Sequence, residues 1–160
     1  MPTIDLAAIA SQLRACGITH VVWIPDSEIG GLETHLDPSI RLIRACREGE
    51  AITIAAGLIL GGARPAVVIQ CTGFFEAGDA FRNVVKDLRL PLFLVVGHRN
   101  RTAFLEGRSK DSAAKYLQAV LTAWELEHVA LEPDGDPAII GELYARSQES
   151  GFAAAVIVAE

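Results

Sequence analysis

The segment CREGEAITIAAGLILGG, residues 46–62, sets two carboxylates, Glu48 and Glu50, at the mouth of an otherwise apolar stretch. On a helix, Glu48 shares a face with Ile52, Ala55 and Ile59, whereas Glu50 falls on the opposite side with Thr53, Gly57 and Gly61. An acid in a first turn meets free backbone N–H groups and the positive end of the helix dipole, which is reason enough for either residue. An acid pressed against apolar side chains is also poised to trade a proton with a ligand, because burial disfavours its charged form. The pattern leaves both readings open for Glu48 and favours the capping role for Glu50.

Other stretches also carry chemistry. In QCTGFFEAG, residues 70–78, Gly73 permits backbone to approach a flat ring, and Phe74 and Phe75 either cover such a ring or pack at a core or subunit boundary. In PDSEIGG, residues 25–31, Asp26 and Ser27 suit an Asx or Ser turn that caps the next helix. Residues 98–111, HRNRTAFLEGRSKD, gather His98, Arg99, Arg101, Arg108 and Lys110. Guanidinium forks bind carboxylate, sulfonate or phosphonate oxygens, although a charge-rich loop is as often only a solvated face. His98 reads equally as a proton donor near neutral pH and as a hydrogen-bonded structural residue. His20, His35 and His128 have no mutual spacing and read as packing or surface residues.

The elements that must position these residues alternate. Helical patterns at 3–16, 28–36, 48–60, 75–88, 112–126 and 138–150 are interleaved with strand patterns at 19–24, 39–45, 65–70, 91–97, 128–131 and 152–159. Asp5 is placed to start the first helix and Gly17 to end it. The strands are apolar on both faces, PLFLVVG most clearly, which predicts a parallel sheet covered on both sides. The expected fold is therefore α/β, a three-layer α/β/α sandwich with a parallel sheet of about six strands, formed by residues 1–160 as one domain. Segment 98–111 is expected to be a loop.

Composition narrows the function classes. With 14 Lys and Arg against 20 Asp and Glu, the formal net charge of −6 argues against an extended nucleic-acid footprint. Cys16, Cys46 and Cys71 are odd in number and widely spaced, so they suggest neither a disulfide framework nor a metal knuckle, and no metal ligands are assigned to this chain. No signal peptide is visible and no apolar run reaches the roughly 20 residues that span a bilayer, so a soluble, cytoplasmic protein is expected.

Taken together, CREGEAITIAAGLILGGARPAVVIQCTGFFEAGDAF, VVWIPDSEIGGL and LRLPLFLVVGHR resemble the pyrimidine-binding domain of thiamine-diphosphate enzymes, in particular the sulfopyruvate and phosphonopyruvate decarboxylase group. The resemblance implies that Glu48 contacts N1′ of the cofactor's aminopyrimidine and exchanges a proton with it. It implies cofactor contacts from Gln70, Thr72 and Gly73, which match a Q-x-S/T-G core, with Phe74 beside them. It places Asp26 and Ser27 at the substrate end of the cofactor, with Arg99 and Arg101 as substrate-binding residues and His98 as a catalytic candidate. The family's residue order after the strand departs here, where His98, Arg99 and Asn100 stand in sequence.

The motif that holds diphosphate and Mg²⁺ in such enzymes, a GDG run followed by a downstream Asn, is missing. GDA at 78–80 and DGDP at 134–137 do not supply it. The resemblance therefore implies a partner β subunit that binds the diphosphate and Mg²⁺, in an α₂β₂ or larger assembly. The activity it implies is decarboxylation of 3-sulfopyruvate or 3-phosphonopyruvate. The alternatives are a decarboxylase or carboligase acting on an uncharged or aromatic 2-oxo acid, and a non-catalytic regulatory or binding subunit.

Overall fold

The computed structural model describes residues 4–26 and 29–159 of the chain. Its centre is a six-stranded sheet built from β1 (His20–Trp23), β2 (Arg41–Arg44), β3 (Pro65–Gln70), β4 (Phe93–His98), β5 (Glu127–Leu131) and β6 (Ala154–Ala159). The spatial order is β2-β1-β3-β4-β6-β5 and every pairing is parallel. The expected three-layer α/β/α sandwich with six parallel strands is thus the observed architecture.

Alternation along the strands divides the core in two. Val21, Ala66, Val68, Phe93 and Val95 face one layer, where they meet Ile9 and Leu13 of α1 (Leu6–Ala15), Leu32 of the 3₁₀ turn Gly30–His35, and Ile140 and Leu143 of α7 (Ile139–Ser150). Val22, Val67, Ile69, Leu94 and Val96 face the other, against Ile52 and Ala55 of α2 (Glu48–Leu60) and Leu117 and Leu121 of α6 (Ser112–Ala123). With a period of two and both faces covered, β3, β4 and β6 have no room for polar residues until their last positions. Asp5 caps α1 as its position suggested, accepting from Ala8 N at 2.9 Å, and Gly17 ends the turn with φ +70°. No helix among the described residues is long and apolar enough to cross a membrane.

Two segments differ from the sequence reading. The helix expected at 75–88 begins at Cys71, directly after β3, as α3 (Cys71–Glu76); it continues through α4 (Gly78–Ala80) into a π turn at Phe81–Lys86. The segment read as a polar strand exit is therefore helical. Burial of Cys71, Phe74, Ala77 and Phe81 along one side anchors it to the sheet. Residues 98–111 are not simply a loop, because Asn100 adopts a left-handed φ of 59° and α5 (Arg101–Leu105) follows. Ion pairs described below hold that short helix.

Candidate active site

Parallel α/β sheets bind ligands at the carboxyl ends of their strands, where neighbouring strands run on in opposite directions. Here that point lies between β1 and β3, because the chain leaves β1 outward to β2 and then returns past it to β3. Asp26 follows β1, Glu48 follows β2, Gln70 to Gly73 follow β3 and His98 to Arg101 follow β4. Ser27, expected beside Asp26, lies outside the described residues.

The two acids that open α2 have separate jobs. Glu50 turns back and accepts the backbone N–H of Cys46 through Oε2 at 2.8 Å, a variant of the capping box. Glu48 accepts no hydrogen bond from the described residues and is partly buried. Its carboxyl group lies on the backbone of Gly73 in α3: a β-carbon built on Gly73 would stand 2.6 Å from Glu48 Cδ and closer still to Cγ and Oε1. Gly73 itself is buried. The notch exists only because residue 73 has no side chain.

After β3, Thr72 Oγ1 donates to Gln70 Oε1 at 2.8 Å, a bond that engages the amide oxygen and not its nitrogen. Asp26 Oδ1 accepts the N–H of Ile29, three residues on, at 2.9 Å. Of the two readings offered for Phe74, the structure has the packing one. Its ring is fully buried and sits edge-on to Phe81 at 5.4 Å, within the layer under α2 and α6. The helical start at Cys71 turns Phe74 inward, three residues on from it. Cys71 is buried as well, and burial pushes its thiol up, away from reactive thiolate.

The basic segment is tied down by acids of this chain. Arg99 donates from Nε to Asp111 Oδ2 at 3.1 Å and pairs with the same oxygen through Nη2, while Asn100 adds a bond at 2.9 Å. Asp111 also caps α6 through Ala113 N at 2.9 Å. Hydrogen bonds from Asn100 and Ala113, with Arg99 beside them, hold its carboxyl below the usual range. Arg101 grips Glu132 with both η nitrogens at 2.7 Å, a fork-on-carboxylate pair. Arg108 pairs with Glu106. His98 is buried at the end of β4, and its Nε2 lies 3.2 Å from the carbonyl of Ala114. A carbonyl can only accept, so Nε2 carries the proton. Burial, reinforced by Arg101, lowers the ring's pKa and keeps it neutral.

Sequence reasoning missed three residues here: Glu76, Asp111 and Glu132. Glu76 stands one helical turn after Gly73, a spacing that becomes visible only once the helix is known to start at Cys71. Among the described residues no group of three or more His, Cys, Asp or Glu side chains is gathered as a metal site.

Residues 6–119 match the family described as thiamine pyrophosphate enzyme, N-terminal TPP binding domain, and the chain belongs to that family. Among curated relatives it is 26% identical over 143 residues to phosphonopyruvate decarboxylase of Streptomyces viridochromogenes, covering 88% of this chain and 35% of that protein. It is 30% identical over 94 residues to sulfopyruvate decarboxylase subunit alpha of Methanocaldococcus jannaschii, covering 58% of this chain and 56% of the relative. The chain thus spans a third to just over half of these proteins. Among solved structures, benzoylformate decarboxylase from Polynucleobacter necessarius superposes with a TM-score of 0.75 at 17% identity, over 97% of this chain and 30% of that one, which shows the shared fold.

The residues present fit the pyrimidine half of thiamine diphosphate. A carboxyl group that accepts no hydrogen bond from the described residues stands beside backbone that carries no β-carbon, and the Gln70 side-chain amide follows the neighbouring strand. A carboxyl so held suits a ring nitrogen that shares its proton.

Proposed function

We propose that this chain is the pyrimidine-binding part of a thiamine-diphosphate-dependent 2-oxo acid decarboxylase, with Glu48 as the acid that exchanges a proton with N1′ of the aminopyrimidine. The observation that carries this reading is the Glu48 carboxyl seated on Gly73 without a hydrogen-bond donor from the described residues. The bound cofactor supplies an electron sink for the pair released with carbon dioxide. Glu48 aims its carboxyl oxygen in a fixed direction, which proton exchange needs more than it needs a mobile base. Gly73 lets the carboxyl lie close to the backbone, Gln70 offers an amide donor oriented by Thr72, and Asp26 shapes the turn at the substrate end.

The diphosphate and Mg²⁺ are assigned to a partner β subunit, in an α₂β₂ or larger assembly. Relatives that are themselves alpha subunits support this. For the substrate, the pairing of Arg99 with Asp111 and of Arg101 with Glu132 favours a 2-oxo acid whose side chain is uncharged or aromatic. Both guanidinium groups already face a carboxylate, which competes with a second anionic group for them. The names of the curated relatives favour the doubly anionic sulfopyruvate or phosphonopyruvate instead.

The test is co-expression with candidate partner chains, followed by carbon dioxide release from benzoylformate, pyruvate, sulfopyruvate and phosphonopyruvate. Turnover of benzoylformate or pyruvate by the pair, with none by this chain alone, is the expected result. Turnover by this chain alone removes the partner, and preference for the doubly anionic acids removes the substrate reading.

A further inference from the structure

The first turn of α2 is held from outside as well as by Glu50. Arg47, the N-cap residue of α2, makes no side-chain capping bond to the turn. Its place is taken by Glu76 at the end of α3, whose Oε2 accepts the N–H of Gly49 at 2.9 Å. The other oxygen, Oε1, receives Arg47 Nε at 3.2 Å. Gly49 and Arg47 are the residues on either side of Glu48, so one carboxylate brackets it. Residues three apart on a helix share a face. Gly73 and Glu76 therefore meet the same turn, one beneath the Glu48 carboxyl and the other on its flanking backbone.

We propose that Glu76 is a positioning residue, which fixes the first turn of α2 so that the Glu48 carboxyl stays seated on Gly73 and directed at the cofactor. The proposal rests on the reading of Glu48 as the cofactor acid. A carboxylate on a helix N-terminal N–H makes a charge-assisted bond that complements the dipole, and it fixes the backbone from which Glu48 projects. A general stabilising role would show in melting temperature alone. A positioning role shows in how Glu48 behaves.

The experiment uses the assembled, cofactor-loaded complex and follows H/D exchange at the thiazolium C2, cofactor Kd by calorimetry, and melting temperature. Glu76→Ala is expected to slow exchange by about 10- to 100-fold, the scale of a displaced catalytic group. Glu76→Gln keeps an oxygen acceptor for Gly49 N–H and is expected to recover most of the rate. Glu76→Asp, which keeps the charge but falls short, replaces the alanine variant if that one does not fold. In a Glu48→Gln background, Glu76→Ala is expected to leave Kd where Glu48→Gln alone puts it, since a residue acting through another is non-additive with it. Wild-type exchange in Glu76→Ala, or a further independent loss of affinity in the double variant, overturns the proposal. Wild-type exchange in Glu48→Gln removes the cofactor reading itself, and so separates that failure from this one.

Discussion

The carboxyl group of Glu48 fills the space that a side chain at residue 73 would need, with Glu48 Cδ only 2.6 Å from where a β-carbon of Gly73 would stand. The two residues come from helices that follow different strands, β2 and β3. Their contact therefore reports the relative placement of α2 and α3 at the carboxyl edge of the sheet. It also turns a glycine within a helix, ordinarily a weak point, into a requirement.

Gly73→Ala is expected to evict the Glu48 carboxyl while leaving the fold in place. Alanine is favoured over glycine within a helix by roughly 0.5–1 kcal/mol, so the backbone gains what the contact loses. Thiazolium C2 exchange in the assembled complex should fall by about 100-fold, with a melting temperature close to wild type. Wild-type exchange would show that the notch does not set the position of Glu48.

Glu48 and Glu50 should separate cleanly on substitution. Glu50→Ala loses the bond to Cys46 N–H and the favourable dipole contact, a cost of roughly 0.3–1 kcal/mol. Urea midpoints should fall accordingly, and the exchange rate should stay near wild type. Glu48→Gln should do the reverse, abolishing exchange with an unchanged urea midpoint. A variant pair in which both properties move together would contradict the division of labour.

Much of this arrangement was legible in the sequence because its signals are local. β3, β4 and β6 are apolar on both faces, and Asp5 sits where α1 needs a cap. The angular separation of Glu48 from Glu50 follows from helical spacing alone. What was hidden depends on partners distant in the chain. Arg101 meets Glu132 across 31 positions and Glu76 meets Gly49 across 27, and no local pattern announces either. The choice between the two readings of Phe74 was hidden for a related reason: its direction depends on α3 starting at Cys71 rather than four residues later. The helix in segment 98–111 was masked by charge, since Arg99 and Arg101 look solvated until Asp111 and Glu132 are brought to them.

Those ion pairs give a prediction about substrates. Arg101→Ala leaves Glu132 without its fork and is expected to lower stability by about 1 kcal/mol, as a well-aligned, partly buried pair should. Arg99→Ala should unpin Asp111 from the end of β4. With both arginines committed to structure, kcat/KM should fall by a common factor for benzoylformate, pyruvate, sulfopyruvate and phosphonopyruvate. A loss confined to the two doubly anionic acids would return the arginines to substrate recognition.

His98 ties the acid stability of the fold to a buried neutral ring. Burial lowers its pKa from the ordinary 6.5, with Arg101 adding to the effect and the Ala114 carbonyl, Glu132 and Asp111 opposing it. The unfolded chain therefore takes up a proton at a pH where the folded ring does not. Stability from this group is fully present above the unfolded pKa. It is lost as pH falls below 6.5, until the folded ring protonates in turn. Urea midpoints measured from pH 7.5 downward should decline through this window. His98→Gln, which cannot titrate but retains an amide N–H for Ala114, should flatten that part of the decline. The imidazole resonances of His98 should titrate below those of a free histidine, and a normal or raised midpoint would mean that the ring is charged where the structure holds it neutral.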